Sequence, residues 1–240
     1  MRVAVLSDIH GNLPALDAVL AALAPYDVVW QLGDVVGYGP QPDEVVARLS
    51  EIGARGVRGN HDAAAIGALS TDAFNDDARA AVEWTSARIG PSTRDWLQAL
   101  PERSTEGDFT LVHGSPRDPV WEYLFSSAVA RANLGAFETQ HCLVGHTHIP
   151  LVFREDDGHV EMLSPSDGSG LELDARRVIL NPGSVGQPRD GDPRACGMLL
   201  DTDEGSVEWR RVAYPVEAVQ SLMAAVDLPV RLAERLTFGW

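Results

Sequence analysis

Five times within the first 150 residues, a short strand pattern ends on Asp, His or Asn, and four of the five are apolar runs. "RVAVLSDIH" ends on Asp8 and His10, and "DVVWQLGD" on Asp34. "GVRGNHD" supplies Asn60, His61 and Asp62, "FTLVHG" supplies His113, and "HCLVGHTH" supplies His146 and His148. Runs of this length and composition predict buried strands. Helical patterns separate them: "LPALDAVLAALAP" with Asn12 as cap and Pro14 in its first turn, "QPDEVVARLSEIG" closed by Gly53, Thr71 to about Leu100 broken at Gly90-Pro91, and "SAVARANLGAFE". Strand and helix in alternation predict a parallel α/β core. The C-terminal ends of parallel strands share one edge, so these distant side chains are expected to converge there.

After Pro150 the pattern changes. "LVFRE", "HVEML", "GLELD", "RRVIL", "GMLLDT" and "VEWRRVAY" are short strand patterns separated by Gly and Asp turns, and the chain closes on two helical stretches. No composition shift marks a linker and no repeat is present. The expectation is one domain over residues 1–240, with α/β units first and a more antiparallel sheet after them.

Charge narrows the function. The 35 Asp and Glu outnumber 19 basic residues, giving a net charge of -16, and every one of the 19 is Arg. A P-loop lysine and a Schiff-base lysine are therefore excluded. Long nucleic acids require clustered cations, and this chain repels them. A small phosphorylated substrate remains compatible if metal ions supply the positive charge locally. The two cysteines, Cys142 and Cys196, show no disulfide pattern. The apolar run before Ser7 is too short for a signal peptide, and nothing approaches membrane-spanning length. The expected setting is cytoplasmic, with no membrane partner; the oligomeric state stays open.

The donor types are carboxylate, imidazole and one amide, without thiolate. That set suits manganese or iron first, with zinc, cobalt or nickel also compatible. Asp8 and His10, like His146 and His148, are two positions apart, and strand alternation would turn each pair to one face. The same alternation turns His141 away. Seven donors exceed what one catalytic ion with an open position takes. They match two ions sharing a carboxylate, roughly 3.5–4 Å apart. Taken singly, Asp8 and Asp34 would be helix caps and His113 an ordinary buried histidine; five matching strand ends favour ligation.

The series DxH (Asp8, His10), GD (Asp34), GNHD (Asn60 to Asp62), a lone strand-end His113 and GHTH (His146, His148) resembles the calcineurin-like metallophosphoesterase family, and "NPGSVGQPR" resembles its small bacterial and archaeal branch. The resemblance implies a single-domain αββα sandwich of two mixed β-sheets flanked by helices. It assigns one metal to Asp8, His10 and His148, the second to Asn60, His113 and His146, and a bridging role to Asp34. A water between two divalent ions would then lose its proton near neutral pH and attack phosphorus, with His61 as general acid and Asp62 the nearest group to orient it.

One motif departs from the family. Where the protein phosphatase and dinucleoside tetraphosphatase branches read GDxVDRGP, this chain reads "GDVVGYGP". Gly37 stands in place of an Asp that supports the catalytic His, and Tyr38 in place of a phosphate-gripping Arg. A doubly charged monoester would miss that Arg more than a singly charged diester. The expectation is therefore a phosphodiesterase acting on small or nucleotide-like substrates. Phosphomonoesterase or dinucleoside tetraphosphate hydrolase activity is the alternative, and a metal-bound protein-interaction scaffold is the non-enzymatic one. Beside the ligands, Asn60, Arg58, Tyr38 and Arg189 are the candidate substrate contacts. For Arg58, bracing of its loop is an equal alternative. Tyr38, Trp121 and Tyr123 are candidates to stack on a base or to fill a core. Arg176-Arg177 and Arg210-Arg211 are expected on solvated sheet positions.

Overall fold

A computed structural model describes residues Met1 to Trp240. Twelve strands form two six-stranded sheets. The first runs in the order β3 (Arg55–Gly56), β2 (Val28–Gln31), β1 (Arg2–Leu6), β11 (Ala195–Asp201), β12 (Ser206–Val212) and β9 (Gly170–Glu172). The second runs β4 (Arg103–Glu106), β5 (Phe109–Val112), β6 (His141–Leu143), β10 (Val178–Pro182), β7 (Pro150–Asp156) and β8 (His159–Leu163). Within the first sheet β1, β2 and β3 are parallel while β11 pairs antiparallel with β1. Within the second, β5, β6 and β10 are parallel and β7 is antiparallel to β10. Both sheets are thus mixed, and each joins strands from both halves of the chain. The expected division into an early parallel part and a later antiparallel sheet does not hold, because the late strands insert beside the early ones.

Alternation along β1 shows how the layers form. Val3 and Val5 point between the sheets, where Trp30, Leu143, Leu180, Met198 and Trp209 meet them. Ala4 and Leu6 point the other way, under α1 (Leu13–Leu23), α2 (Pro42–Glu51), α4 (Asp76–Arg88), α5 (Pro91–Ala99), α7 (Val216–Ala225) and α8 (Val230–Phe238). A third cluster packs α6 (Ser127–Leu134) on the outer face of the second sheet through Ala130, Leu134, Phe153 and Ile179. The result is an αββα sandwich. Strands buried on both faces explain why the sequence shows continuous apolar runs instead of alternation.

Local signals place most helix ends. The Asn12 side chain caps α1 by accepting from the Ala15 N–H at 3.2 Å. α4 and α5 separate at Gly90, whose N–H donates to Asp43. Strand β4 was not foreseen, since "RSTE" carries no apolar residue and forms only an edge. Cys142 and Cys196 are buried core residues. Two arginines expected in solvent are engaged instead. Arg177 donates to the carbonyls of Leu134, Phe137 and Thr139, and Arg211, with a side chain 6% exposed, pairs with Asp190. No helix is long and apolar enough to cross a membrane.

Candidate metal centre

Directly beyond the C-terminal ends of β1, β2, β5 and β6, and at the start of α3 (Asn60–Ala65), the strand-end residues come together on one edge of the sandwich. Asp8, His10, Asp34 and His148 form one group of donors, and Asp34, His113 and His146 a second; all are buried. Asp34 belongs to both: its Oδ2 is 3.7 Å from His10 Nε2 and 3.3 Å from His113 Nε2. Asn60 Oδ1 joins the second group, 3.1 Å from His113 Nε2. The His146 N–H, beyond the second sheet, donates to Asp8 Oδ2, beyond the first, at 3.1 Å, and the Gly186 N–H donates to the Asp8 carbonyl at 2.9 Å.

Hydrogen bonds on the far sides of the rings reveal what the interior holds. His10 Nδ1 donates to the Val36 carbonyl (3.1 Å), His113 Nδ1 to that of Leu32 (2.8 Å) and His148 Nδ1 to that of Gln187 (2.6 Å). A carbonyl only accepts, so each neutral ring carries its proton on Nδ1 and turns an Nε2 lone pair inward. His10 Nε2 and His148 Nε2 are then two acceptors 3.2 Å apart. His113 Nε2 stands 3.1 Å from His146 Nδ1. Asp8 Oδ1 is buried without a partner. Facing lone pairs and carboxylates in a buried cavity repel one another unless a cation lies among them. The donor set fits divalent metal ions, and the outer carbonyls orient its imidazoles as such ions need.

Protonation in the metal-free centre tells the same story. Burial lifts the Asp8 carboxyl to about 7. Burial opposes a charge on His113, yet Asp34 beside it raises the imidazole to about 9. Burial opposes charge on Asp34 as well, but His113 and His61 hold it well below the ordinary carboxylate range. His10, His146 and His148 are pushed far down by burial. The positive charge then sits on the His113 imidazolium, beside an ionised Asp34.

How the side chains converge differs from the expectation. Strand β6 ends at Leu143, so His146 and His148 are not on a pleat. Both have left-handed backbone, with φ of 65° and 61°, as do Asp8 (52°), His10 (49°), Asp34 (53°) and Tyr38 (57°). Six of the eight non-glycine residues with positive φ gather at the centre. Asp and His tolerate this region better than most residues, but each such residue still costs on the order of 1–3 kcal/mol. His146 and His148 thus reach the centre through left-handed turns and not through strand alternation.

His61 lies beside the centre, and its orientation also corrects the sequence reading. Asp62 does not hold it: the Asp62 carboxylate accepts the N–H groups of Val36 and Gly59, both at 3.0 Å. His61 Nδ1 has no partner. Aromatic packing fixes the ring instead, with Tyr38 at 4.3 Å, His10 at 4.9 Å and Phe74 at 5.0 Å between centroids. Gly37 makes room for it, at φ 86°; a Cβ there would sit 2.4 Å from His61 Nδ1. Burial lowers the His61 pKa to about 4.

Of the other candidates, Tyr38 packs on His10 at 4.6 Å. The Arg189 guanidinium lies 5.6 Å above the Tyr38 ring, and its charge bears on Asp8, His10, His61, His146 and His148. Its buried Nε has no partner. Arg58 turns away, toward the Gln98 carbonyl (3.5 Å) and Glu102 (3.6 Å), which favours the bracing alternative. His141 stays outside the centre, packed on Phe109. Sequence reasoning missed the Val36, Leu32 and Gln187 carbonyls, which any residue could supply. It also missed Phe74, an isolated aromatic with no motif around it, and Ser184, whose Oγ donates to the Asp8 carbonyl at 2.8 Å.

The fold and centre define an α/β protein with two groups of buried carboxylate and imidazole donors at a sheet edge. The chain belongs to the calcineurin-like phosphoesterase superfamily, whose domain profile matches residues 1–205. An uncharacterized protein of Methanocaldococcus jannaschii is 36% identical over 99% of this chain and 98% of its own length. The phosphodiesterase YfcE of Escherichia coli K12 is 31% identical over 86% of this chain and 91% of its own. Among solved structures, a metallophosphoesterase from Sphaerobacter thermophilus superposes with a TM-score of 0.92 at 45% identity, covering 100% of this chain and 99% of its own.

Proposed function

We propose that this chain, working as one domain over residues 1–240, is a dinuclear metal-dependent phosphodiesterase for small or nucleotide-like substrates. Asp8, His10 and His148 would hold one divalent ion and Asn60, His113 and His146 the other, with Asp34 common to both groups. When bound, two such ions neutralise phosphate oxygens and acidify a water. Manganese or iron suits the donors best.

The remaining steps belong to the protein. Arg189 and the Tyr38 hydroxyl receive the phosphate. Asn60 serves both metal and substrate. His61 is neutral at neutral pH in the free protein because burial disfavours its charge. A phosphate drawn in by Arg189 raises its pKa, and the proton it then holds goes to the leaving alkoxide. Asp62 contributes by fixing the Gly59–His61 turn through the backbone. Arg58 braces the same loop from α5.

The observation that carries the diester preference is the position of Tyr38, a buried neutral phenol where related phosphatases place a second guanidinium. That leaves Arg189 as the one guanidinium whose charge reaches the donors, matched to a single negative charge. The name of the Escherichia coli relative supports the same reading. The test compares bis-p-nitrophenyl phosphate with p-nitrophenyl phosphate on Mn²⁺-reconstituted protein, with His61→Ala alongside. Faster diester cleavage, lost in the variant, is expected; a monoester preference overturns the assignment.

A further inference from the structure

The loop between β5 and α6 sends two aromatic side chains to the mouth of the centre, and no element of the core covers them. Tyr123 is 41% exposed and Phe125 50% exposed. The Tyr123 ring stacks on His146, centroids 3.8 Å apart and planes 19° from parallel. Phe125 in turn stacks on Tyr123, at 5.3 Å and 8°. Three near-parallel rings thus form a column that begins at a metal-centre imidazole and ends at an open aromatic face.

The loop is built to hold this column. Glu122, between the two ends of the loop, accepts from Ser115 Oγ at 2.6 Å and from Asn133 Nδ2 at 2.7 Å, and pairs with Arg117. Trp121 packs edge-on against His146 at 6.2 Å and against Phe74 at 5.1 Å. Rings carried on a loose loop would turn their faces onto apolar surface; these stay stacked in the open.

We infer that the Tyr123–Phe125 column is a stacking platform for a nucleobase, which makes the substrate a nucleoside phosphate ester. This rests on the phosphoesterase reading of the same site. Three features point to a base. The column starts at the centre, so a group stacked on its outer ring belongs to a molecule whose phosphate reaches the centre. The open Phe125 face lies two ring spacings out, which calls for a spacer such as a sugar between the phosphate and the planar group. Every base has a π-face, and stacking on aromatic side chains is a general mode of nucleotide recognition. The chain's acidity excludes long nucleic acid, so the platform takes a single nucleoside unit.

The test measures binding and not turnover. Equilibrium dialysis of Mn²⁺-loaded protein compares adenosine 5′-monophosphate with ribose 5-phosphate, which lacks the base. The expected result is about tenfold tighter binding of the nucleotide, within the range that base–aromatic stacking gives. Phe125→Ala abolishes that ratio and Phe125→Trp keeps it. Equal affinity for the two ligands, or a ratio unchanged in Phe125→Ala, overturns the inference. So does a concentration-dependent dimer in sedimentation that disappears in Phe125→Ala, since the rings would then serve a second copy of the chain. A Phe125-dependent preference for the nucleotide without hydrolysis of any ester would leave the platform standing and remove the phosphodiesterase reading.

Discussion

His10 and His148 are 138 residues apart in sequence, yet their Nε2 atoms stand 3.2 Å apart, both as acceptors, because Val36 and Gln187 hold the opposite ring nitrogens as donors. Two lone pairs aimed at each other are a metal site drawn in outline. Removing one of them by His148→Ala should lower metal content, measured by plasma mass spectrometry, from two ions per chain toward one. Activity should fall by more than the roughly 10- to 100-fold that loss of an outer partner costs.

The proton on His113 predicts how metal and pH compete. His113 in the folded, metal-free protein has its pKa raised to about 9, and Asp8 to about 7. Both bind protons more tightly folded than unfolded, so their contribution is present at low pH and is lost as pH rises through about 7 and about 9. Metal-free protein should therefore lose thermal stability from pH 7 to 9. Added Mn²⁺ should raise Tm more at pH 9 than at pH 7, as deprotonated ligands become available. Scanning calorimetry with and without metal checks this; a metal effect independent of pH would contradict it.

Gly37 predicts a steric result. Its Cβ position is 2.4 Å from His61 Nδ1, and its φ is 86°. Gly37→Ala should displace the His61 ring and cut kcat about as far as His61→Ala does, roughly 10²- to 10⁴-fold for a lost acid–base group. Metal content should be unchanged, which separates loss of the acid from loss of the site.

Glu122 should be felt in acid. Burial works against its charge, but Arg117, Ser115 and Asn133 hold its pKa down to about 2. A depressed carboxyl stabilises above its ordinary pKa near 4.5, and that contribution is lost as pH falls toward 2. Glu122→Gln should lower Tm by about 3–6 °C near neutrality, for a loss on the order of 1–2 kcal/mol. The gap between variant and parent should close as pH approaches 2.

The site was legible in the sequence because its donors are rare types at strand ends, and four of the five strands left an apolar run before them; β3, only Arg55–Gly56 and not buried, left none before Asn60. The resemblance assigned Asp8, His10, Asp34, Asn60, His113, His146 and His148 to two ions, and the structure gathers these side chains in two buried groups that share Asp34. What holds them in place was less visible. Positive φ at His146 leaves no mark in composition, since His is uncommon but not forbidden there. Carbonyl partners such as Leu32 depend on path and not on side chain. The mixing of the sheets was hidden for a related reason: β11 carries an ordinary strand pattern, and only its pairing with β1 shows that it belongs between early and late strands.

That pairing has a consequence for how the centre comes into being. Every donor lies before residue 150, yet β1 lies between β2 and β11, β6 lies between β5 and β10, and the Gln187 carbonyl fixes His148. A nascent chain that has already emerged with all seven donors still lacks β10, Gln187 and β11, and contacts this distant in sequence close late. The donors are thus framed only once β10, the Gln187 carbonyl and β11 have joined the earlier strands.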